Sequence, residues 1–368
     1  MVLIFGITIA GFFVPDKERS ESENRNLAQK PDFTIAGLFA EKNEDRFTTQ
    51  YENYITDQFI ARDTWIGIKT QTERLLGKTD INGVYFADDG YLVTKTDADA
   101  VDKEQEEKNI ARLESFVAKY EELLGAGSVN VMLIPTAADI LAEKLPAFTS
   151  EYDQEALLAR LEASLGNAWI DVRDNLQAHD DEYIYYRTDH HWTALGAYYA
   201  YQAWAEKLGL PVRDLTDYTE SVGSDEFYGT LYSKINIPMD YDTVMLYQDG
   251  KKYRVEYDSN GRYTGSLFAM NRLEEKDKYM VYLDGNHAMV DIVSENKNGK
   301  KLLVVKDSYA HTFVPFMAQD YEEILMIDFR YLQMPLSNVV KAYGITDILF
   351  LYNATNFVED ENLYQLER

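Results

Sequence analysis

The chain has 368 residues, with 36 basic and 63 acidic side chains and a formal net charge of −27. Such acidity excludes binding to a nucleic-acid backbone, which needs clustered Lys and Arg, and disfavours docking to an anionic membrane surface. Hydrophobic residues make up 46% and cysteine is absent, so the composition is globular and rules out disulfides, thiolate metal sites and Cys nucleophiles.

Residues 1–14 carry no charge and are followed by a polar stretch, 15–31. Fourteen residues fall short of the roughly 18–20 that span a bilayer, yet the polar tether behind them favours a signal-anchor over a buried element. A membrane-anchored, extracytoplasmic protein is the resulting expectation. Residues 32–95 form a helical and hairpin segment. Phe47, Tyr51, Tyr54, Ile55, Phe59 and Ile60 recur at helical spacing, and Asp88-Asp89-Gly90 separates two β-like runs. From Asp102 an amphipathic helix carries Ile110, Leu113, Phe116, Val117, Tyr120 and Leu124 and stops at Gly125.

Strands and helices then alternate. Apolar runs at 129–134, 169–172, 183–186, 302–305, 324–327 and 348–351 predict strands, with helices near 156–165 and 194–208. That alternation predicts an α/β fold with a parallel sheet covered on both faces. Residues 96–211 and 299–368 supply this domain. Residues 212–298, rich in Tyr, Gly and Asp, read as a β-rich insertion.

Reactive side chains of doubly wound sheets sit in loops at the carboxyl ends of strands. Two such places carry chemistry here. The first is Thr188-Asp189-His190-His191-Trp192-Thr193, between a predicted strand and a helix, in a chain with five His. An Asp two residues before a His can hold the imidazole by its Nδ1–H and leave Nε2 free as a base. The second is Lys306-Asp307-Ser308-Tyr309, where a Ser on a sharp turn precedes a helix whose N–H groups can face an oxyanion. Other strand ends offer Arg330 and Asn353, as oxyanion or sugar-hydroxyl donors or as an ion-pair and a turn residue. Asn286, in Gly285-Asn286-His287, can bring an amide to the site. Trp192 is a sugar-stacking wall or a packed aromatic, and His179, His287 and His311 read as surface or core histidines.

The stretch Asp189–Trp192 spells DHHW, and with the later KDSYA at 306–310 it resembles the DHHW protein family. Glu23-Asn24-Arg25, DDGYLV, YLDGNH at 282–287 and DFRY at 328–331 extend the resemblance over most of the chain. That family is similar to the alginate O-acetyltransferases, with SGNH-hydrolase-like domains and an Asp-x-His-Trp element upstream of a nucleophilic Ser. The resemblance implies a three-layer α/β/α sandwich in which Ser308 is the nucleophile, His191 the base and Asp189 its orienting acid. His190 takes the variable position. Arg330, Asn286, Asn353, Trp192 and Tyr309 complete the candidate oxyanion and substrate-binding set. The implied activity is O-acetyl transfer to a cell-envelope or secreted polysaccharide, or acetylester hydrolysis, with a membrane-bound O-acyltransferase as acetyl-donor partner. Neither cofactor nor metal is expected. The insertion between His191 and Ser308 departs from the alginate enzymes, and no carbohydrate-binding module is recognisable. Two other readings exist: a metal-dependent phosphoesterase using Asp-His-His, and a non-catalytic glycan-binding envelope scaffold.

Overall fold

The computed structural model describes Gly11, residues 13–20 and residues 25–368. The expected anchor at 1–14 therefore lies almost wholly outside the described residues, as do Glu23 and Asn24. Among the described residues, no helix is long and apolar enough to cross a membrane. Strands β1 (Arg19–Ser20) and β2 (Arg25–Asn26) pair near the start. The predicted helical segment is two helices, Phe47–Asp57 and Arg62–Leu75, separated at Ala61, whose φ of 53° cannot continue a helix. Their apolar side chains mostly pack on one another rather than under a layer. Phe47 stacks on Tyr51 and Phe59 meets Trp65 edge-on, while Ile55, Phe59 and Ile68 stay exposed.

Strands β3 (Asp80–Ile81), β4 (Val84–Phe86) and β5 (Leu92–Thr94) form an antiparallel meander turning at Asp88–Gly90, as the Asp-Asp-Gly chemistry predicts. The long helix runs Lys103–Leu124, capped by Asp102, whose carboxylate accepts from the Glu104 and Gln105 amides.

Strand β6 (Val129–Ile134) is one edge of the main sheet. Strands β7 (Thr219–Phe227) and β8 (Asp242–Gln248) pair separately; β9 (Tyr253–Tyr257), β10 (Tyr263–Thr264) and β11 (Met289–Ser294) rejoin the sheet. Strands β12 (Lys301–Lys306), β13 (Glu323–Ile327) and β14 (Asp347–Asn353) complete the order β10-β9-β11-β13-β12-β14-β6. The last four in that order are mutually parallel and the first three run antiparallel. Burial on both faces explains why the parallel strands read as unbroken apolar runs. Val304, Met326, Leu349 and Met132 face the Ala194–Lys207 and Ala310–Met317 helices. Leu303, Leu325, Phe350 and Val131 face the Lys103–Leu124, Gln154–Leu165 and Leu336–Tyr343 helices.

Three expectations are corrected. The sheet is mixed, because residues 212–298 do not stand apart: β9 and β11 pair into it and extend it antiparallel beyond β13. Residues 183–186 are not a sheet strand. Their backbone bonds close a tight loop instead, with the Tyr186 N–H donating to the His191 carbonyl and the Thr193 N–H to that of Ile184. Residues 169–172 make one bridge only, from Trp169 to Val131 on the free edge of β6. Both runs are apolar because helices and loops cover them.

Candidate active site

All four parallel strands end on the same side of the sheet, and their carboxyl ends carry the predicted chemistry. β6 leads into Thr136, β12 into Asp307-Ser308, β13 into Asp328 and Arg330, and β14 ends at Asn353. Asp307 sets the turn that presents Ser308. Its carboxylate accepts from the Tyr309 amide at 2.9 Å, the Asn353 amide at 2.9 Å and side chain at 3.0 Å, and the Asn356 side chain at 2.8 Å. Four donors fix a buried acid that follows an interior strand of the sheet.

The Asp189–Trp192 loop meets this turn and is stitched to it twice. The buried Trp192 indole donates to the Tyr309 carbonyl at 3.1 Å, and the Tyr309 hydroxyl donates to the His190 carbonyl at 2.6 Å. Thr193 then caps the following helix through the Gly196 amide.

These contacts bring the predicted trio together. The Ser308 Oγ lies 2.7 Å from His191 Nε2, and His191 Nδ1 lies 2.5 Å from Asp189 Oδ1. The carboxylate is acceptor-only, so Nδ1 carries the proton and Nε2 is left to receive the one from Ser308. Tyr279 lies flat against the other side of the imidazole, ring centroids 3.8 Å apart and 8° from parallel, and donates its hydroxyl to the Ser308 carbonyl at 3.0 Å. His191 is thus held at both nitrogens and on its face.

Asp189 is buried, which alone would raise its pKa. The adjacent His190 and His191, the His191 hydrogen bond and the Thr230 amide outweigh burial and hold the carboxyl well below its usual range. Its second oxygen accepts from the Thr230 amide at 2.8 Å and hydroxyl at 3.0 Å. Thr230 opens the short Thr230–Ile235 helix, preceded by Gly229. A Cβ on Gly229 would lie 2.2 Å from the Asp189 Cβ and 2.5 Å from Oδ2, so only glycine lets the two backbones approach. Gly229→Ala should therefore displace Asp189 and slow any reaction of Ser308 with p-nitrophenyl acetate by about 10²-fold while the rest of the chain folds. A folded variant with wild-type turnover would show that the Asp189 position is not needed.

The remaining predicted residues divide. Arg330 clamps Asp328 with Nε at 2.9 Å and a terminal nitrogen at 2.6 Å, and that nitrogen also reaches Asn286 Oδ1 at 3.3 Å. Arg330 and Asn286 border the site with part of their polar surface open. Asn353 borders the cleft beside it, with its amide holding Asp307 and its Oδ1 capping the last helix through the Asn356 N–H. Trp192 is corrected, being fully buried with its indole N–H committed to one loop stitch, so it forms no stacking wall; Tyr309 commits its hydroxyl to the other stitch and lines the cleft beside the relay. His287 bridges Asp258 and Asp284, and His179 stacks on Tyr199. His311 is buried and accepts a bond from Lys306 at 2.8 Å.

Sequence reasoning missed Gly229, Thr230 and Tyr279, all in the segment read as an insertion. A Gly-Thr pair opening a short helix was the available signal for the first two. Tyr279, one of 28 tyrosines, had none.

Asp189, His190 and His191 could also be considered as metal ligands, since one atom from each lies within 4.8 Å of the others. Both His191 nitrogens are already bonded, to Asp189 and Ser308, and His190 Nδ1 is bonded to the Thr230 hydroxyl. The donor set fits a proton relay rather than a cation.

A cleft of about 190 Å³ adjoins the relay, with Thr94, Thr96, Thr136, His190, Asn356 and Glu359 in its walls. A hollow of about 180 Å³ lies across Asn356 and Glu359 and reaches Asp307 and Arg330.

Comparison with known proteins identifies the family. The DHHW protein family matches residues 115–327, which include both loops of the site. A DHHW family protein from Eubacterium siraeum DSM 15702 is 30% identical, covering 78% of this chain and 96% of that one, with a TM-score of 0.65. PatB1 of Bacillus cereus shares the fold at 20% identity, over 77% of this chain and 99% of that one, with a TM-score of 0.63 in a structure bearing a sulfonyl adduct. A second structure of Bacillus cereus PatB1 aligns at 19% identity and a TM-score of 0.64, over 76% of this chain and 98% of that one. No curated protein sequence matches the chain. With the matched region spanning more than half of the residues and containing the whole Asp189–His191–Ser308 relay, the chain belongs to the DHHW protein family.

Proposed function

We propose that the chain is a serine-dependent O-acetyltransferase, with esterase activity when water is the acceptor. The observation that carries this reading is the unbroken hydrogen-bonded line from Asp189 through His191 to Ser308. A hydroxyl is a poor nucleophile at its ordinary pKa, and this line supplies the base and the group that orients it. Ser308 Oγ attacks the acetyl carbonyl of a donor ester while its proton passes to His191 Nε2. The tetrahedral oxyanion has a donor nearby in the Ser308 N–H, which has no hydrogen-bond partner among the described residues and sits just before the Ala310–Met317 helix. Collapse expels the donor alcohol, which takes the proton from His191. An acceptor hydroxyl then gives its proton to His191 Nε2, attacks the acetyl-serine and restores Ser308.

The sheet with helices on both faces, and a serine directly after an interior parallel strand, support an SGNH-hydrolase-like reading of a domain built from 96–211 and 299–368 and extended by β9–β11. The likeness of the DHHW family to the alginate O-acetyltransferases supports a polysaccharide acceptor outside the cytoplasm. A membrane-bound O-acyltransferase would then supply acetyl groups, because acetyl-CoA is confined to the cytoplasm. The cleft beside His190, with Thr94, Thr96, Thr136 and Thr355 among apolar side chains, suits a sugar acceptor.

Phenylmethylsulfonyl fluoride tests the nucleophile directly, because sulfonylation needs an activated hydroxyl. Peptide mass spectrometry should find a single adduct on Ser308 in the wild type and none in His191→Ala. An unlabelled Ser308 in folded wild-type protein would favour the glycan-binding scaffold instead.

A further inference from the structure

The DHHW motif contains two histidines, and the relay uses one. The His190 ring lies against that of His191, centroids 3.8 Å apart, on the wall of the cleft. Its Nδ1 is 2.7 Å from the Thr230 hydroxyl, which lies 3.0 Å from Asp189 Oδ2. A threonine hydroxyl has one proton to give, and an ionised carboxylate only accepts. The Thr230 proton must therefore point to Asp189, since the reverse would set two lone-pair oxygens against each other. His190 Nδ1 must then donate to the Thr230 oxygen. The tautomer is fixed, and Nε2 is left as an unprotonated acceptor.

Burial and the neighbouring His191 push the His190 pKa down to about 3, so the ring stays neutral through the physiological range. Nε2 belongs to no hydrogen bond among the described residues. An acceptor held bare beside the catalytic base is of use to a ligand that brings a hydroxyl. The cleft walls include Thr94, Thr96, Thr136 and Thr355, with Lys95 already paired to Asp80 and Asp97 and with the apolar Leu92, Ala137 and Leu231, a lining of hydroxyls and apolar faces like those a sugar presents.

We propose that His190 binds the acceptor: its Nε2 takes a hydrogen bond from one hydroxyl of a vicinal diol while the adjacent hydroxyl is deprotonated by His191. This rests on the transferase reading above and adds the substrate class, a sugar with neighbouring free hydroxyls. No proton leaves at His190. The proton moves from the reacting hydroxyl to His191 Nε2, the new ester bond forms at that oxygen, and the Ser308 ester bond breaks with the same proton returned to Oγ. His190 thereby selects the sugar over water and over a simple alcohol.

The test separates acceptor choice from nucleophile function. p-Nitrophenyl acetate is supplied as donor with glycerol, 1-propanol or no added alcohol, and acetyl-glycerol, acetyl-propanol and acetate are measured as ratios. The wild type should favour glycerol over 1-propanol. In His190→Asn the side-chain amide can still donate to Thr230, but the cleft acceptor is lost. The glycerol preference and the transfer-to-hydrolysis ratio should then fall by about tenfold, the worth of one hydrogen bond to a bound hydroxyl. His190→Gln, whose amide oxygen reaches toward the Nε2 position, should recover part of the ratio.

Unchanged ratios in His190→Asn would overturn the proposal. So would loss of the nitrophenol burst in that variant, because His190 would then act on the relay rather than on the acceptor. A wild type that forms no acetyl-Ser308 fails differently, since that outcome removes the transferase reading itself.

Discussion

Ser308→Ala and His191→Ala are each expected to lower turnover of p-nitrophenyl acetate by about 10³-fold or more with the far-ultraviolet circular dichroism unchanged. The size follows from the geometry. Ser308 Oγ has its base at 2.7 Å, and that base has its orienting carboxylate at 2.5 Å. Removing either end of the first bond leaves only binding and the backbone donor. Asp189→Asn should cost somewhat less. Its amide can still accept from the Thr230 groups, but its nitrogen can donate to His191 Nδ1 and favour the wrong tautomer. The double variant Ser308→Ala/His191→Ala should be little worse than either single one, because the groups act as a unit. Retention of full activity by Ser308→Ala would end the serine mechanism.

The candidate relay was legible because Asp189 and His191 are close in sequence, His is rare in this chain, and Ser308 falls at a strand end. Asp189 and His191 lie two apart in a chain with five His, and Ser308 follows the apolar LLVV run, so both fall at predictable loop positions. The parallel core was legible for the same reason: VNVMLI, LLVV and DILFLY are runs only a doubly covered sheet requires. What supports the site was not legible, since it depends on contacts across long separations. Gly229 is identified by its approach to Asp189, 40 residues earlier, and Tyr279 by a stack on His191. Residues 183–186 misled because loop burial and strand burial leave the same apolar pattern. β9 and β11 were assigned to an insertion because their alternating polar residues suit an antiparallel extension as well as a separate sheet.

The largest effect on stability is expected from Asp328→Ala, a loss of about 3–5 kcal/mol in unfolding free energy. Asp328 and Lys306 are fully buried at the ends of adjacent strands, with Lys306 Nζ 3.1 Å from Asp328 Oδ2. Arg330 clamps both oxygens of the same carboxylate, and His311 Nε2 accepts from Lys306. Burial pushes the Lys306 pKa down, Asp328 only partly offsetting it, so this cation depends on its one carboxylate partner. Burial alone would raise the Asp328 pKa, but Arg330 and Lys306 reverse that and keep it ionised. Deleting the acid strands a buried ammonium and a largely covered guanidinium together. Lys306→Met is the informative contrast. It removes a charge along with its desolvation cost and leaves Asp328 paired to Arg330, but His311, whose Nδ1 already has no partner, loses its donor as well. That loss should cost about 1–3 kcal/mol, less than Asp328→Ala. Urea denaturation of both variants gives the order. If Lys306→Met proves the costlier, Arg330 does not compensate Asp328 as the geometry requires. Because Lys306 immediately precedes Asp307 and Ser308, a folded Asp328→Ala protein should also lose activity, through a β12 end no longer held against β13.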